Sequence, residues 1–396
     1  MLRYKLTAFL AIVLLMVIPT SVILAEGEEQ KTRIGNAEIY DDISSNDAIR
    51  YTLHSLPIPA EGTAYESWLI SDDAKTFLST GVLSVAADGS VTHTFNSASA
   101  GYTGTDLLQG FATAAITSET VPDDDSSQPG TVLYMHQVPA DGLIHIRHLA
   151  AKSPKGETGV FRNLFSQLDL ALTSANAAKN ATTLAEMQGH VQDVINIIEG
   201  SSGANYKAAT VNGDGYGVLN YAADSSIAST ASEAVPTDIY ITGTSTLVKI
   251  NAKNTEDWAT LARDIGLTKI IAEDELKIAQ IFVGPGAGTL ISNLEAARDG
   301  FDSNKNSTIE AVAGEGGAKQ AIRDTQLMAS YRLALVTTAG GISPSSIAPV
   351  VRYDGSGLPI TGGMPITNLI PITLLLGIIS LSIGTIALRA SRKNRA

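Results

Sequence analysis

The spacing of apolar residues changes several times along this chain. Residues 6–24 are almost continuously apolar. From about 47 to 148, apolar and polar positions alternate in short runs, the two-residue period of strands. Ala64–Ile70 reads as one strand, with Glu66, Trp68 and Ile70 on one face and Tyr65, Ser67 and Leu69 on the other. Phe77–Val85, Gln109–Thr117 and Thr131–Val138 read as further strands, and Leu143–Leu149 also alternates. Asp88-Gly89 marks a tight hairpin turn between Leu83/Val85 and Val91/Phe95, because glycine accepts the positive φ such turns need. At least five short strands divided by Pro-, Gly- and Asp-rich turns predict an antiparallel β-sandwich.

From about 155 to 338 the period lengthens to three and four. Phe161, Leu164, Phe165, Leu168 and Leu172 form one helical stripe, and Leu184, Met187, Val191, Val194 and Ile198 another, stopped by Gly200. Asn254, with Asp257 three residues on, predicts an N-terminal cap for a helix carrying Trp258, Leu261 and Ile265. Ser292–Arg298 and Lys319–Leu335 predict two more helices, and residues 237–251 are open between helix and extended chain. A bundle of five to seven helices is the simplest assembly. Residues 339–357, rich in Gly, Pro and Ser, read as a flexible spacer.

The ends carry addressing patterns. Arg3 and Lys5 precede the first apolar stretch, and Ala25 precedes Glu26, the layout of a signal peptide over residues 1–25. Residues 26–46 then read as a polar, flexible leader. Toward the other end stand Leu358, Pro359, Ile360, Thr361 and Gly362, then an apolar run from Ile366 to Leu388, then Arg389, Arg392, Lys393 and Arg395. A helix needs about 20 apolar residues to cross a bilayer, and the basic tail favours the cytoplasmic side. The expected order is therefore a β-sandwich over 47–150, a helical domain over 151–338, the spacer, the pentapeptide 358–362, a transmembrane helix over 364–388 and a basic tail over 389–396. The fold class expected is α+β: an N-terminal antiparallel β-sandwich, then an all-α bundle, with a C-terminal transmembrane helix.

Pentapeptide, apolar run and basic tail in this order resemble the sorting signal of sortase substrates. The resemblance implies cleavage between Thr361 and Gly362 by sortase and transfer of Thr361 to a cell-envelope acceptor. A permanent anchor, with the pentapeptide accidental, is the alternative. Separately, Ala60–Ile70, Ser79–Leu83 and Asp88–Ser90 resemble the extracytoplasmic β domain of anti-sigma-K factors. That resemblance implies the β fold. It leaves open a sensory or regulatory role, although only a signal peptide precedes the β segment here, where the family has a sigma-binding region.

Charge sharpens the functional reading. The chain has 27 Lys and Arg against 40 Asp and Glu, a net −13. Six of those basic residues and none of the acidic ones lie in 1–25 and 362–396, so the expected mature chain carries 21 against 40, a net −19. Such a balance disfavours nucleic-acid binding, which rests on cations neutralising phosphates. The absence of cysteine excludes thiolate catalysis and disulfides. The best candidate site is a calcium loop. Asp302, Asn304 and Asn306 occupy first, third and fifth positions, Thr308 can offer a carbonyl at the seventh, and Glu310 stands at the ninth. Ser307 replaces the expected turn glycine and Ala313 the bidentate carboxylate, a role Glu315 could fill if the chain loops back; a polar turn is the alternative. Weaker candidates are Asn212–Gly217 and Asp123–Asp125, for each of which a turn is the preferred reading, and a transition-metal site from His145, His148 and His190, with backbone pairing of His145 as the alternative. Gly284–Thr289 lacks the Lys-Ser/Thr of a phosphate loop. No catalytic constellation is present. The chain reads as an exported, envelope-anchored protein with a binding or structural role and an unknown surface ligand.

Overall fold

A computed structural model describes residues 33–123, 125–153, 158–207, 211–270, 289–336 and 340–350. Its β-strands are β1 (Arg33–Tyr40), β2 (Ala48–Leu53), β3 (Thr63–Ser71), β4 (Phe77–Leu83), β5 (Val91–Phe95), β6 (Phe111–Thr120), β7 (Thr131–Gln137) and β8 (Tyr331–Leu335). They form one antiparallel sheet in the order β4-β3-β6-β7-β8-β1-β2-β5. The predicted sandwich is therefore corrected to a nearly closed eight-stranded barrel. The two edges, β4 and β5, are consecutive in sequence. The turn between them forms at Asp88-Gly89, where Gly89 has φ +81° and Asp88 Oδ1 accepts from the Ser90 backbone N–H. Yet β4 and β5 do not share a ladder. A side chain closes the seam: a His93 ring nitrogen lies 2.6 Å from the Thr80 carbonyl.

The strand alternation sorts side chains between the inside and outside of this barrel. Register places Ala37, Tyr51, His93 and Tyr331 on one shared face, and Ser67 with Ile116 on β3 and β6. Tyr51 Oη bonds Thr80 Oγ1 at 2.9 Å, and Thr80 Oγ1 donates to the Ser67 carbonyl at 2.9 Å. Tyr331 Oη donates to the Phe111 carbonyl at 3.0 Å. These buried hydroxyls need partners, and burial raises the pKa of both tyrosines. The other face of β3 carries Glu66, Trp68 and Ile70, as its alternation predicts. Ile70 packs there with Ala115, Val132 and Ile347 in a small outer core.

The helices are α1 (Leu107–Gly110), α2 (Ala140–Ala150), α3 (Val160–Asn180), α4 (Leu184–Glu199), α5 (Val218–Ala223), α6 (Ser226–Ala234), α7 (Ile239–Ile270), α8 (Leu290–Asp299) and α9 (Ala318–Met328). They lie between β7 and β8 in sequence, α1 excepted. The expected succession of a β domain and a helical domain is thus replaced by a helical insertion in the barrel. One apolar core runs from Tyr51 and Leu69 inside the barrel to Leu164, Val194 and Ala259 among the helices.

Several predicted elements change type. Leu143–Leu149 is helical: Leu143, Ile146 and Leu149 are buried at three-residue spacing, while Arg147 reaches out to Asp72. Leu107–Gly110 is a helical turn capped by Asp106, and the strand begins at Phe111. The helix expected over Lys319–Leu335 ends at Met328, and Tyr331–Leu335 enters the sheet between β1 and β7. The segment 33–40, read as leader, is β1. Asn254 lies inside α7 rather than capping a helix; its amide donates to the Val312 carbonyl at 2.7 Å and accepts from Gly314 N–H at 2.8 Å.

A stripe of mostly small residues runs the length of helix α7. Ile241, Ser245, Val248, Ala252, Thr255, Ala259, Ala262 and Gly266 are all buried at alternating steps of four and three. Small side chains let neighbouring helices approach closely, and the same smallness makes the stripe faint to a hydropathy reading. Helix α4 begins with a capping box of Thr183 and Glu186 and ends at Gly200, whose φ is +73°.

The first part of the expected spacer packs on the barrel. Val132 and Ile342 exchange backbone bonds at 2.9 and 3.0 Å, Ile347 enters the outer core, and Val350 N–H donates to the Asp72 carbonyl at 2.7 Å. Among the described residues no helix is long and apolar enough to cross a membrane. The expected signal peptide, pentapeptide, transmembrane segment and basic tail lie outside the described residues.

Candidate functional site

A cleft of about 440 Å³ opens where the end of β1 meets α3 and α9. Helical spacing builds two walls. Arg162 and Phe165 are three apart on α3; Lys319, Ile322, Arg323 and Gln326 follow three- and four-residue steps on α9. Tyr40 and Asp41 close the third side. Asp41 Oδ1 is the polar hub. It accepts from Arg162 Nη2, from Gln326 Nε2 at 2.7 Å and from the Asn46 N–H at 2.8 Å. Three cationic side chains, Arg162, Lys319 and Arg323, share the lining with this one carboxylate, and Arg162 bonds it directly. Arg162 Nε is buried without a hydrogen-bond partner. Arg323 leans on buried Asp324, whose pKa burial raises against the pull of Arg323. The rings of the cleft carry guanidinium groups too: Arg50 lies 5.0 Å from the Tyr40 centroid, and Arg298 5.9 Å from that of Phe165.

A second polar cluster joins the barrel to α7. Two guanidinium groups lie over the Tyr240 ring, that of Arg33 4.9 Å and that of Arg332 5.2 Å from its centroid. Arg332 also pairs with buried Asp238 at 2.6 Å. Asp238 accepts from the N–H groups of Tyr240 and Ile241 at 3.0 and 3.1 Å, capping α7. His136 faces Arg332; burial first, then the Arg332 charge, hold its pKa down to about 4. Its neutral ring leaves a buried Nδ1 without a partner. Every group here ties α7 to the barrel wall, which makes the cluster a joint.

On the outer barrel face, Glu66 and Glu119 are both buried. Burial, offset by a bond from Ser79 and reinforced by the charges of Glu119 and Asp123, raises the Glu66 pKa. Glu119 accepts from Thr117 and from the Gly130 N–H, holding the β6–β7 loop, and Trp68 Nε1 donates to Thr117 Oγ1 at 3.0 Å.

The expected calcium loop folds back on itself. Asp302 accepts from the N–H groups of Asn306 and Ser307 at 3.1 and 2.8 Å, and the amides of Asn304 and Asn306 donate to Glu310 Oε2 at 3.2 and 3.3 Å. Thr308 donates through its hydroxyl and N–H to Asn306 Oδ1. Glu315 does return to the loop: its buried carboxylate accepts from Ser303 Oγ at 2.9 Å and from the N–H groups of Asn304 and Glu310. Ser307 stands where a glycine was expected and has φ +69°. Among the described residues no group of three or more His, Asp or Glu side chains is placed to hold a metal ion. His145 and His148 lie on α2, while His190 on α4 sits 3.2 Å from Asp193. The Asn212–Gly217 segment is a glycine turn locked by Tyr221 Oη on Asp214 at 2.6 Å. Asp123 and Asp125 are exposed turn residues. Leu358, Pro359, Ile360, Thr361 and Gly362, and most of Gly284–Thr289, lie outside the described residues; Thr289 caps α8.

Sequence reasoning did not find the cleft. Its residues come from three segments separated by over a hundred positions each, and Arg162, Lys319 and Arg323 look like ordinary solvated helix charges. The available signal was a local excess of cations in an acidic chain, visible only after folding. No family model, curated protein or solved structure matches this chain.

Proposed function

We propose that this protein is exported and displayed on the outer face of the cell envelope by sortase attachment, where it has a binding or structural role. The observation that carries this reading is the order of three features: Leu358-Pro359-Ile360-Thr361-Gly362, the apolar run Ile366–Leu388, and the basic residues Arg389 to Arg395. Sortase chemistry consumes the Thr361–Gly362 bond, so Leu358, Pro359, Thr361 and Gly362 are the residues of consequence. The N-terminal apolar stretch after Arg3 and Lys5 supports export. The acidic balance supports a solvated surface protein. The described body is consistent with display: its last residues, 340–350, run over the barrel exterior and precede the pentapeptide by only a few positions. Mass spectrometry of protein released from the envelope tests the reading. A C-terminus at Thr361 carrying a wall fragment is expected, and Thr361→Ala should abolish it. Mature chains ending at Ala396 would overturn sortase processing.

A further inference from the structure

The geometry points to the cleft between α3 and α9 as a binding site for a small organic monoanion, a carboxylate on a flat apolar body. The inference stands on the described body alone and holds whether or not the chain is anchored. Three observations carry it. The first is charge. The chain has 40 acidic against 27 basic residues, yet the lining of this cleft holds three cations, Arg162, Lys319 and Arg323, and one carboxylate, Asp41. That carboxylate already accepts three donors through Oδ1. The second is unused donor capacity. Lys319 is exposed and has no ion-pair partner among the described residues. The third is the wall. The remaining lining is largely apolar, from Tyr40, Phe165 and Ile322, and about 440 Å³ matches small-molecule sites. A bare inorganic anion would leave those rings uncovered. A neutral aromatic would leave the donors unmet.

Lys319 is the residue to test, because its replacement separates binding from folding. It occupies the first turn of α9, where an acidic side chain is favoured by the helix dipole, so Lys319→Glu should fold as the parent does. The experiment is calorimetric titration of the purified full chain with 2-naphthoate, 2-naphthamide and inorganic phosphate in one buffer. Saturable one-to-one binding of naphthoate is expected, roughly tenfold tighter than the amide, since the carboxylate adds charge-assisted contacts to the cleft cations worth about one decade. Lys319→Glu should weaken naphthoate by a similar factor and leave the thermal unfolding midpoint unchanged. Arg323→Gln, also exposed, should weaken it less. Equal binding of the amide, full competition by phosphate at equal concentration, indifference to Lys319→Glu, or no saturation would each overturn the assignment.

Discussion

His136 shows how one side chain ties stability to pH. It is largely buried beside Arg332, and its pKa is held down to about 4 from an ordinary 6.5. The unfolded chain therefore binds this proton more readily than the folded chain. The neutral ring's contribution is complete above about pH 6.5 and is lost as the pH falls toward 4. Each tenfold difference in proton affinity between the two states is worth about 1.4 kcal/mol, so the full effect is on the order of 3 kcal/mol at most. Buried Glu66 and Asp324 have raised pKa values and act in the opposite sense: they favour the folded state as pH falls. The net profile mixes these groups, so a variant is needed. The difference in unfolding free energy between the parent and His136→Gln, followed by urea titration from pH 7 to 4, should shrink as the pH falls. A constant difference would sink the argument. Asp47 acts in a separate window. Against the opposing effect of burial, donors from Tyr102, Asp42 N–H and Ser44 hold its pKa at about 2, so its contribution disappears only between about pH 4 and 2.

At the scale of elements, α7 depends on its first residues. Asp238 both caps the helix and neutralises Arg332, so one carboxylate performs two tasks. Removing one partner of a buried pair costs about 3–5 kcal/mol because the other charge is left stranded, while loss of a cap costs about 1 kcal/mol. Asp238→Ala should therefore destabilise strongly, and Asp238→Asn, which keeps the cap acceptor, somewhat less. Combining Asp238→Ala with Arg332→Met should recover much of the loss. Urea denaturation of the parent and these variants measures this; strictly additive effects would show that the two residues do not act as a pair. The bidentate Arg147–Asp72 contact anchors α2, reaching from the helix to the loop after β3 at 2.6 and 2.8 Å, with a further bond to the Leu108 carbonyl at 2.7 Å.

For the whole molecule, the decisive fact is that the barrel is closed by a strand from far along the chain. β8 pairs with β1 through Arg33–Ala37 and with β7 through Tyr134 and Met135. Without it, β1 and β7 would each expose an unpaired edge, and Tyr331 and Leu333 would be missing from the interior. A fragment covering residues 33–150 should therefore fail to unfold cooperatively, although its sequence reads as a complete β domain. Circular dichroism melts and amide dispersion in NMR check this. A sharp transition in the fragment would mean that the first seven strands suffice.

The sequence alone determined local chemistry. Alternation in 64–70 sorts the side chains of β3 onto two faces, Asp88-Gly89 specifies a turn, and Gly200 stops a helix. These are legible because each depends on neighbours within a few residues. Tertiary structure decided the rest. Five residues of β8 are too few to show a period, so their pairing could not be read. The small-residue stripe of α7 acquires meaning only when other helices press against it. Asp88-Gly89 fixes a turn, but whether its strands pair is set by the closure of the whole sheet. Arg162, Lys319 and Arg323 become one site only where α3 and α9 converge. Contacts made across a hundred residues or more leave no local pattern, and the barrel's closure and the cleft are both built from such contacts.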